Sequence, residues 1–499
     1  MSETEIKLHV EAGRRGRLLD ALGHRRLRQS ALSAIYFDTP DLLLSRHRFA
    51  LRLRREDGRW VQTLKGAKRK GGPADRLEHE VPVDVAAGDP QAPPLDLERH
   101  RGSKVGRRLR ALLRRHDDPS LGETCRTEVT RLRRLLHARG AVVEWALDEG
   151  EVKTAERAEP ISELELELKS GDPAGLYGLA HDWETLHGLW VDPVSKAERG
   201  ASLWQAQAHR PPVKARAPGW SAKRLRAMDG HTLLRAMVAS CLAQVLPNSA
   251  EIARGSQDPE HVHQLRVGLR RLRSVVDGMQ PFASRLPADW EAAILPVFEA
   301  LGQSRDKHVQ SNTLAPRLRE AGAQVADLGE PSEEEAKSLQ QRVRGGAFQG
   351  MLLRLLCHAE APADEAAAGK PGSGLEHLLR RLDRLARQVT REAARFDELP
   401  FDAQHKVRKR LKRLRYLAEF AAPAFGRKQV RAWMARVSPA QDALGEHIDL
   451  ALAADRFATR AEVDPGAGFA AGWLRAKAQA STRAARKRLE RLQGARRFW

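Results

Sequence analysis

The sequence predicts an α+β multidomain protein: an N-terminal antiparallel β-barrel followed by an all-α domain of two four-helix bundles. Three observations predict it. Up to about residue 205, short segments alternate polar and apolar residues, the period of strands with one buried face. Beyond about residue 220, long leucine- and arginine-rich segments run at helical period and strand signals nearly vanish. Within that helical region a sequence unit occurs twice, each copy having room for about four helices.

The bulk properties set the frame. A chain of 499 residues exceeds what one hydrophobic core sustains. A formal net charge of +21 calls for an anionic partner: nucleic acid, acidic lipid or a phosphate polymer. Aromatic residues at 5% are thin for a reader that stacks bases. Cys125, Cys241 and Cys357 are scattered and odd in number, which excludes a disulfide framework and a Cys-x-x-Cys metal site and suits a reducing cytoplasm. The charged, strand-like start MSETEIKLHV is expected to carry no signal peptide, and no apolar run is long enough to predict a membrane span.

Punctuation divides the chain. HRPPVKARAPG, from His209 to Gly219, carries three prolines and reads as a linker over 206–220. It separates a first domain, 1–205, from a helical one, 221–499. The Pro/Gly-rich stretch at 361–374 splits the latter into halves of about 221–360 and 374–499. The first half contains His263-x-x-Arg266-x-x-x-Arg270-Arg271-Leu-Arg273, and the second His405-x-x-Arg408-x-x-x-Lys412-Arg413-Leu-Arg415. Each is followed by Leu-Gly-x-x-x-Asp, ending at Asp306 and Asp449, with His-to-Leu gaps of 38 and 39 positions. Two motifs at one spacing indicate a duplicated unit.

The first domain is distinguished by charged strand faces. Alternate residues of a strand share a side, so Glu3, Glu5 and Lys7 point one way, against Ile6 and Leu8. The pattern recurs with Arg52 and Arg54, with Thr63 and Lys65, with Arg76, Glu78 and Glu80, with Glu144 and Asp148, and with Glu163, Glu165, Glu167 and Lys169. One charged face is ordinarily solvated. Six in one domain, sorted into acidic and basic strands, suit the polar interior of a barrel. Carboxylates bind hard divalent cations, and arginine and lysine bind phosphate oxygens. Together they suit a metal–polyphosphate complex.

These residues resemble the CYTH superfamily, the triphosphate tunnel metalloenzymes. Glu3-x-Glu5-x-Lys7 matches its ExExK signature. Tyr36 to Pro40, Arg52-x-Arg54, Thr63-x-Lys65, Arg76-x-Glu78-x-Glu80, Arg131, Asp148, the Glu163/Glu165/Glu167 strand and Ser195-Lys196-Ala-x-Arg199-Gly follow in order. EPISELELEL at Glu159–Leu168 is similar to the bacterial inorganic triphosphatase branch. The resemblance, over about residues 1–205, implies a β-tunnel. It implies Glu3, Glu5, Glu165 and Glu167 as ligands of Mg2+ or Mn2+. It implies Lys7, Arg52, Arg54, Lys65, Arg131 and Lys196 as triphosphate-binding residues. Glu78, Glu80 and Asp148 are candidates to orient the attacking water. Glu163 is expected at the solvent-facing rim, Arg133 and Arg134 on the surface, His9 as a filler, and Tyr36 to Pro40 as structural.

In the helical domain, His263, Arg266, Arg270 and Arg273 are spaced to share one helix face, as are His405, Arg408, Lys412 and Arg415. Like charges so placed repel, and tolerating this twice points to a bound anion. The segment resembles the CHAD domain (conserved histidine α-helical domain) over about 220–499, which implies a basic cavity for inorganic polyphosphate formed by these eight residues. The two histidines either donate to phosphate or are satisfied within the bundle. Asp306 and Asp449 are expected to pair helices.

The two resemblances together imply a cytoplasmic enzyme hydrolysing inorganic tripolyphosphate to pyrophosphate and phosphate, tethered to polyphosphate or its granules. The alternatives are hydrolysis or cyclisation of another triphosphate (thiamine triphosphate, ATP) and non-catalytic polyphosphate binding. No membrane partner is expected. Nucleic acid is not expected to be bound specifically, since no reading motif is present.

Overall fold

The structure, a computed structural model, describes residues 4–23, 27–67, 76–84, 92–323, 331–361, 370, 372–461 and 465–499. Glu3 and most of the Pro/Gly-rich stretch at 361–374 lie outside the described residues. The chain folds into two compact units. The first is Met1–Val213, Ala243–Ser256 and Gln340–Ala361; the second is Lys214–Leu242, Gln257–Leu339 and Pro362–Trp499. The first unit therefore takes in two segments from the region read as helical domain.

The first unit is built on nine strands: β1 (Glu5–His9), β2 (Arg28–Asp38), β3 (Phe49–Glu56), β4 (Arg59–Ala67), β5 (Arg76–Val83), β6 (Gly122–Ala138), β7 (Ala141–Lys153), β8 (Ala158–Gly171) and β9 (Trp190–Val191). They form one sheet in the order β5-β4-β3-β2-β6-β7-β8-β1-β9 with antiparallel neighbours. Two tight hairpins set the registers. Asp57-Gly58 joins β3 to β4 and Arg139-Gly140 joins β6 to β7, all four with positive φ (47°, 81°, 53°, 74°). Only turns of that handedness match the twist of the strands they connect.

The registers place the charged positions side by side. Lys7 faces Glu165, Glu163 faces Asp148, and Asp148 faces Arg131. On the other flank Tyr36 faces Arg52, Arg52 faces Thr63, Thr63 faces Glu80, and Lys65 faces Glu78. Directly opposed residues lie on the same face, so the charged faces read from sequence are one continuous surface. The opposite face is apolar. Leu8, Trp145, Leu147, Leu164 and Leu166 pack against Leu18 of α1 (Arg15–Leu22) and against Leu176, Tyr177 and Trp183 of α4 (Pro173–His187). Leu51 and Leu64 pack against Leu44 of α2 (Leu43–Arg46) and against Val105 and Leu109 of α3 (Lys104–Arg114).

A fifth helix, α5 (Lys196–Trp204), packs on the charged side, where Ala197 and Leu203 meet Ala34, Tyr36, Cys125, Val129 and Val152. Its start is fixed by a capping box: Ser195 Oγ accepts from Glu198 N while the Glu198 carboxylate accepts from Ser195 N. The cap leaves Lys196 as the first residue of the helix. The linker is irregular, and its beginning is anchored within the unit. His209 and Arg210 both bond Glu251, and Asn248 makes a reciprocal pair with the Val213 backbone.

The helices that follow are α6 (Ala222–Ala227), α7 (Gly230–Ala253), α8 (Pro259–Gly278), α9 (Trp290–Val309), α10 (Ala315–Glu320), α11 (Glu333–Arg344), α12 (Gly346–Glu360), α13 (Ser373–Ala393), α14 (Phe401–Ala421), α15 (Arg427–Arg460) and α16 (Pro465–Gln493). Of these, α12, the end of α7 and the end of α11 belong to the first unit. In the second unit, α13 buries Leu375, Leu378, Leu382, Leu385 and Val389 on one stripe. Alanines of α15 and α16 interdigitate with Leu450, Phe457 and Leu474. Buried His447 of α15 donates from Nε2 to Gln404 Oε1 of α14 (2.7 Å), and its Nδ1 lies 3.1 Å from Ala478 O of α16, tying three helices. The repeated motifs occupy α8 and α14. Among the described residues no helix is long and apolar enough to cross a membrane.

Gly200 of α5 sits where a Cβ would lie 2.0 Å from Cys125 Sγ. Gly200→Ala is therefore expected to push α5 off the sheet and cost roughly 1–3 kcal/mol. A thermal midpoint unchanged from wild type would show that the helix can shift freely.

Candidate active site

The centre of the charged face is a cluster of buried carboxylates from two neighbouring strands: Asp148 of β7 with Glu163 and Glu165 of β8. One oxygen from each lies within 4.8 Å of the others. Asp148 and Glu163 have no exposed surface. Such groups remain charged only if surrounded by cations. Lys196 Nζ donates to Asp148 (2.5 Å), Glu163 (2.5 Å) and Glu165 (3.0 Å). Arg131 grips Asp148 with two parallel bonds of 2.6 Å and reaches Glu165 at 2.5 Å. Lys7 donates to Glu165 at 2.7 Å. Arg199, itself buried, donates to the far oxygen of Glu163 at 3.3 Å. For Lys7, Arg131, Glu165 and Lys196 burial works against charge, and pairing outweighs it. The three cations Lys196, Lys7 and Arg131 hold Glu165 well below the usual carboxylate range. Glu163, Glu165 and Asp148 in turn raise Lys196.

The second flank is more open and less neutralised. Lys65 pairs with Glu78 (2.9 Å), Thr63 Oγ1 donates to Glu80 (3.0 Å), and Arg54 reaches Glu80 at 3.4 Å. The Nε atoms of Arg52 and Arg54 are buried without a hydrogen-bond partner. Burial, then Arg52, and further off Arg131, push Arg54 down. Arg54 and Arg131 thus repel each other across β2. This surface has unused donors where an anion is wanted.

An all-oxygen donor set of three carboxylates this close fits a hard divalent cation. Four cationic side chains already touch those carboxylates. A cation arriving with a polyanion would exchange partners, taking the carboxylates and leaving Lys7, Arg131 and Lys196 to the phosphate oxygens.

The second unit carries a basic centre of the opposite kind. Burial and the charges of Arg408, Arg270 and Arg266 press Lys412 down to about 6. Burial and Arg270 press Arg266 to about 10. His263 is lowered by burial, Arg305, Arg270 and Lys412. The two repeats therefore share one electrostatic site. Arg266, Arg270 and Arg273 gather about the Phe298 ring at 5.2–5.9 Å. Arg408 has a partner in Asp449 (3.3 Å), and Arg456 of α15 pairs with Asp306 of α9 (2.6 Å). Both aspartates thus link helices, as expected. Arg273 is paired with Glu291, and Arg415 with Glu419 and Gln441. No acidic partner is found for Arg266, Arg270 or Lys412 among the described residues.

Comparison with known proteins matches residues 1–201 to the CYTH domain model and residues 236–458 to the CHAD domain model. The chain joins a CYTH domain to a CHAD domain. Its CYTH region is 29% identical over 179 residues to the inorganic triphosphatase of Haemophilus influenzae. That match covers 35% of this chain and 47% of that protein, so the chain spans about half the length of the curated relative it matches. Among solved structures, the CHAD domain of Ricinus communis aligns at 25% identity with a TM-score of 0.45, over 56% of this chain and 97% of that one. HpAC1 from Hippeastrum aligns at 23% with a TM-score of 0.29, over 41% and 96%.

Within the CYTH domain, Lys7, Arg131, Lys196, Asp148 and Glu165 meet in the buried cluster. Arg52, Arg54, Lys65, Glu78 and Glu80 meet in the open flank. Glu5 and Glu167 oppose each other one strand repeat away, about 7 Å along. Glu5 is exposed, and Glu167 bonds Lys169 (2.7 Å). Glu163, expected at the rim, is instead wholly buried between Lys196 and Arg199, because its partner across the ladder is Asp148 and not solvent. Arg133 is half-buried: it shares the face of Arg131 and pairs with Glu56 at 3.2 Å. Arg134 donates to the Leu22 carbonyl at 2.7 Å. His9 fills, stacked on Trp190 at 4.4 Å and held neutral, at about 4, by burial. Asp38 serves the turn at Tyr36 to Pro40 by accepting from Thr39, Leu44 and Ser45 backbone N–H groups. Sequence reasoning missed Arg199, although it lies inside the Ser195–Gly200 motif, and Asp192, which has no local signal.

Lys196→Ala leaves three carboxylates with one cation fewer. It is expected to cost about 3 kcal/mol at pH 7. The carboxylates of the variant protonate more readily, so its deficit should shrink toward pH 4. Equal deficits at both pH values, in denaturant unfolding, would contradict the pairing as its source.

Proposed function

We propose that the chain is a metal-dependent inorganic triphosphatase, cleaving tripolyphosphate to pyrophosphate and phosphate, with a helical domain that binds inorganic polyphosphate. The observation that carries the enzymatic reading is the continuous charged face on which three clustered, buried carboxylates adjoin lysines and arginines, the Nε atoms of Arg52 and Arg54 being unpaired. The triphosphatase named among the relatives supports it.

In this reading Asp148, Glu163 and Glu165 hold Mg2+ or Mn2+, with Glu167 farther along β8 and Glu5 opposite it on β1; Glu3 keeps the ligand role that the sequence resemblance implies for it. The bound cation supplies Lewis-acid charge to phosphoryl oxygens. Lys7, Arg131 and Lys196 neutralise the phosphate beside it, and Arg52, Arg54 and Lys65 hold the remaining oxygens. Glu78 and Glu80, both on the open flank, orient the attacking water. Asp148, clamped by Arg131 and Lys196, acts on the metal side. The converging groups are charges and hydroxyls, which suit bare phosphate rather than a base or thiazole ring.

Purified protein with Mg2+ or Mn2+ is expected to release phosphate from tripolyphosphate faster than from ATP, thiamine triphosphate or long-chain polyphosphate. Glu165→Gln should lower kcat on the order of 100-fold. Absence of release from all four substrates overturns the reading, and preference for ATP or thiamine triphosphate reassigns the substrate.

For the helical domain, His263, Arg266, Arg270, Arg273, His405, Arg408, Lys412 and Arg415 form the polyphosphate surface. An anion set against Lys412 restores its proton, so binding near pH 7 takes up protons. Affinity should fall from pH 6 to pH 8 by up to about tenfold per unit, and Lys412→Arg should flatten that slope. Calorimetry in two buffers of different ionisation heat measures the uptake. Binding to polyphosphate and DNA with the same affinity and salt slope would mean generic electrostatics only.

A further inference from the structure

The carboxylate cluster does not end at Glu163. Arg199 Nη2 is bonded to two carboxylates at once, Glu163 at 3.3 Å and Asp192 at 2.8 Å. Asp192 is fully buried just after β9, and its other oxygen accepts from Val194 N. A second arginine, Arg254, donates to the same Asp192 oxygen at 2.7 Å and to Glu159 at 3.3 Å. Arg254 directly follows α7. Gly255, at φ 100°, ends the helix behind it. Arg254 lies inside the residues matched to the CHAD domain, yet folds in the first unit with Asp192 and Glu163.

We propose that Arg254 is a positioning residue for the metal-binding carboxylate Glu163, acting through Asp192 and Arg199. This rests on the reading of Asp148, Glu163 and Glu165 as the metal site. A buried carboxylate draws whatever cation is in reach. With Arg254 present, Asp192 is satisfied from two sides, and Arg199 keeps a hydrogen for Glu163. Without it, Asp192 holds Arg199 alone. The guanidinium turns fully to Asp192, and Glu163 loses the donor that fixes one of its oxygens. A stretch of CHAD-matched sequence thereby sets the geometry of a CYTH site.

The test uses the full chain and two readouts: Mn2+ binding followed by the electron paramagnetic resonance of free Mn2+, and tripolyphosphate hydrolysis. Arg254→Gln is expected to weaken Mn2+ binding severalfold and to lower kcat on the order of tenfold while KM for tripolyphosphate holds. Arg254→Lys, which keeps the charge on Asp192, should recover most of both. Tyr177→Phe removes the 2.7 Å bond to Glu360, another contact between CYTH-matched and CHAD-matched residues of the first unit. It should lower thermal stability without moving Mn2+ affinity. Wild-type Mn2+ affinity in Arg254→Gln, or equal losses in Arg254→Gln and Tyr177→Phe, overturns the inference in favour of a purely structural contact. A wild-type chain that binds Mn2+ but cleaves no triphosphate sinks the triphosphatase reading, and the Mn2+ titration then decides this one alone. A chain that does neither overturns both.

Discussion

The three bonds of the Lys196 ammonium decide what this fold can be. Asp148 and Glu163 are shut away from water, and an unpaired buried carboxylate costs several kcal/mol. One ammonium touching three carboxylates makes it possible for the charged face of a nine-stranded sheet to be interior at all. The capping box at Ser195 and the close fit of Gly200 against Cys125 bring that ammonium to its place. The helix start is therefore as much a part of the site as the strands that bear the acids.

Two charge balances follow from this. In the first unit acid and base are near parity around the cluster, so its buried charges are balanced within the protein itself. In the second unit the bases outnumber their acids, and burial beside Arg408 and Arg270 pushes Lys412 down. One arrangement suits a cation and an anion together, and the other suits an anion alone. The +21 charge of the chain is thus unevenly distributed.

Period-2 alternation exposed the charged strand faces, and the ladder registers then joined them, since cross-strand partners must share a side. The duplicated His-x-x-Arg helices were legible because two spacings agreed. Glu163 was misplaced because one strand's pattern shows which side a residue is on but not what covers that side. Asp192 and Arg254 were invisible for a further reason. They are 62 positions apart, in segments read as different domains, and only the tertiary fold brings them within 2.7 Å. Arg133 shows the converse: it stands two positions from Arg131 on β6, so alternation puts both on one face, a signal the sequence carried and the reading did not use.

The first unit is discontinuous along the chain, closing only with Gln340–Ala361. On the ribosome its sheet emerges early, but the segments that bear Arg254 and α12 are still to be made. At typical elongation rates the ~150 residues after Val213 take roughly 7–30 s to appear. During that interval the nascent sheet must wait with some of its apolar face, including the surface that Leu353 later covers, open to chaperones or to misassembly. Synthesis order, and not only sequence, thus bears on how this protein reaches its native state.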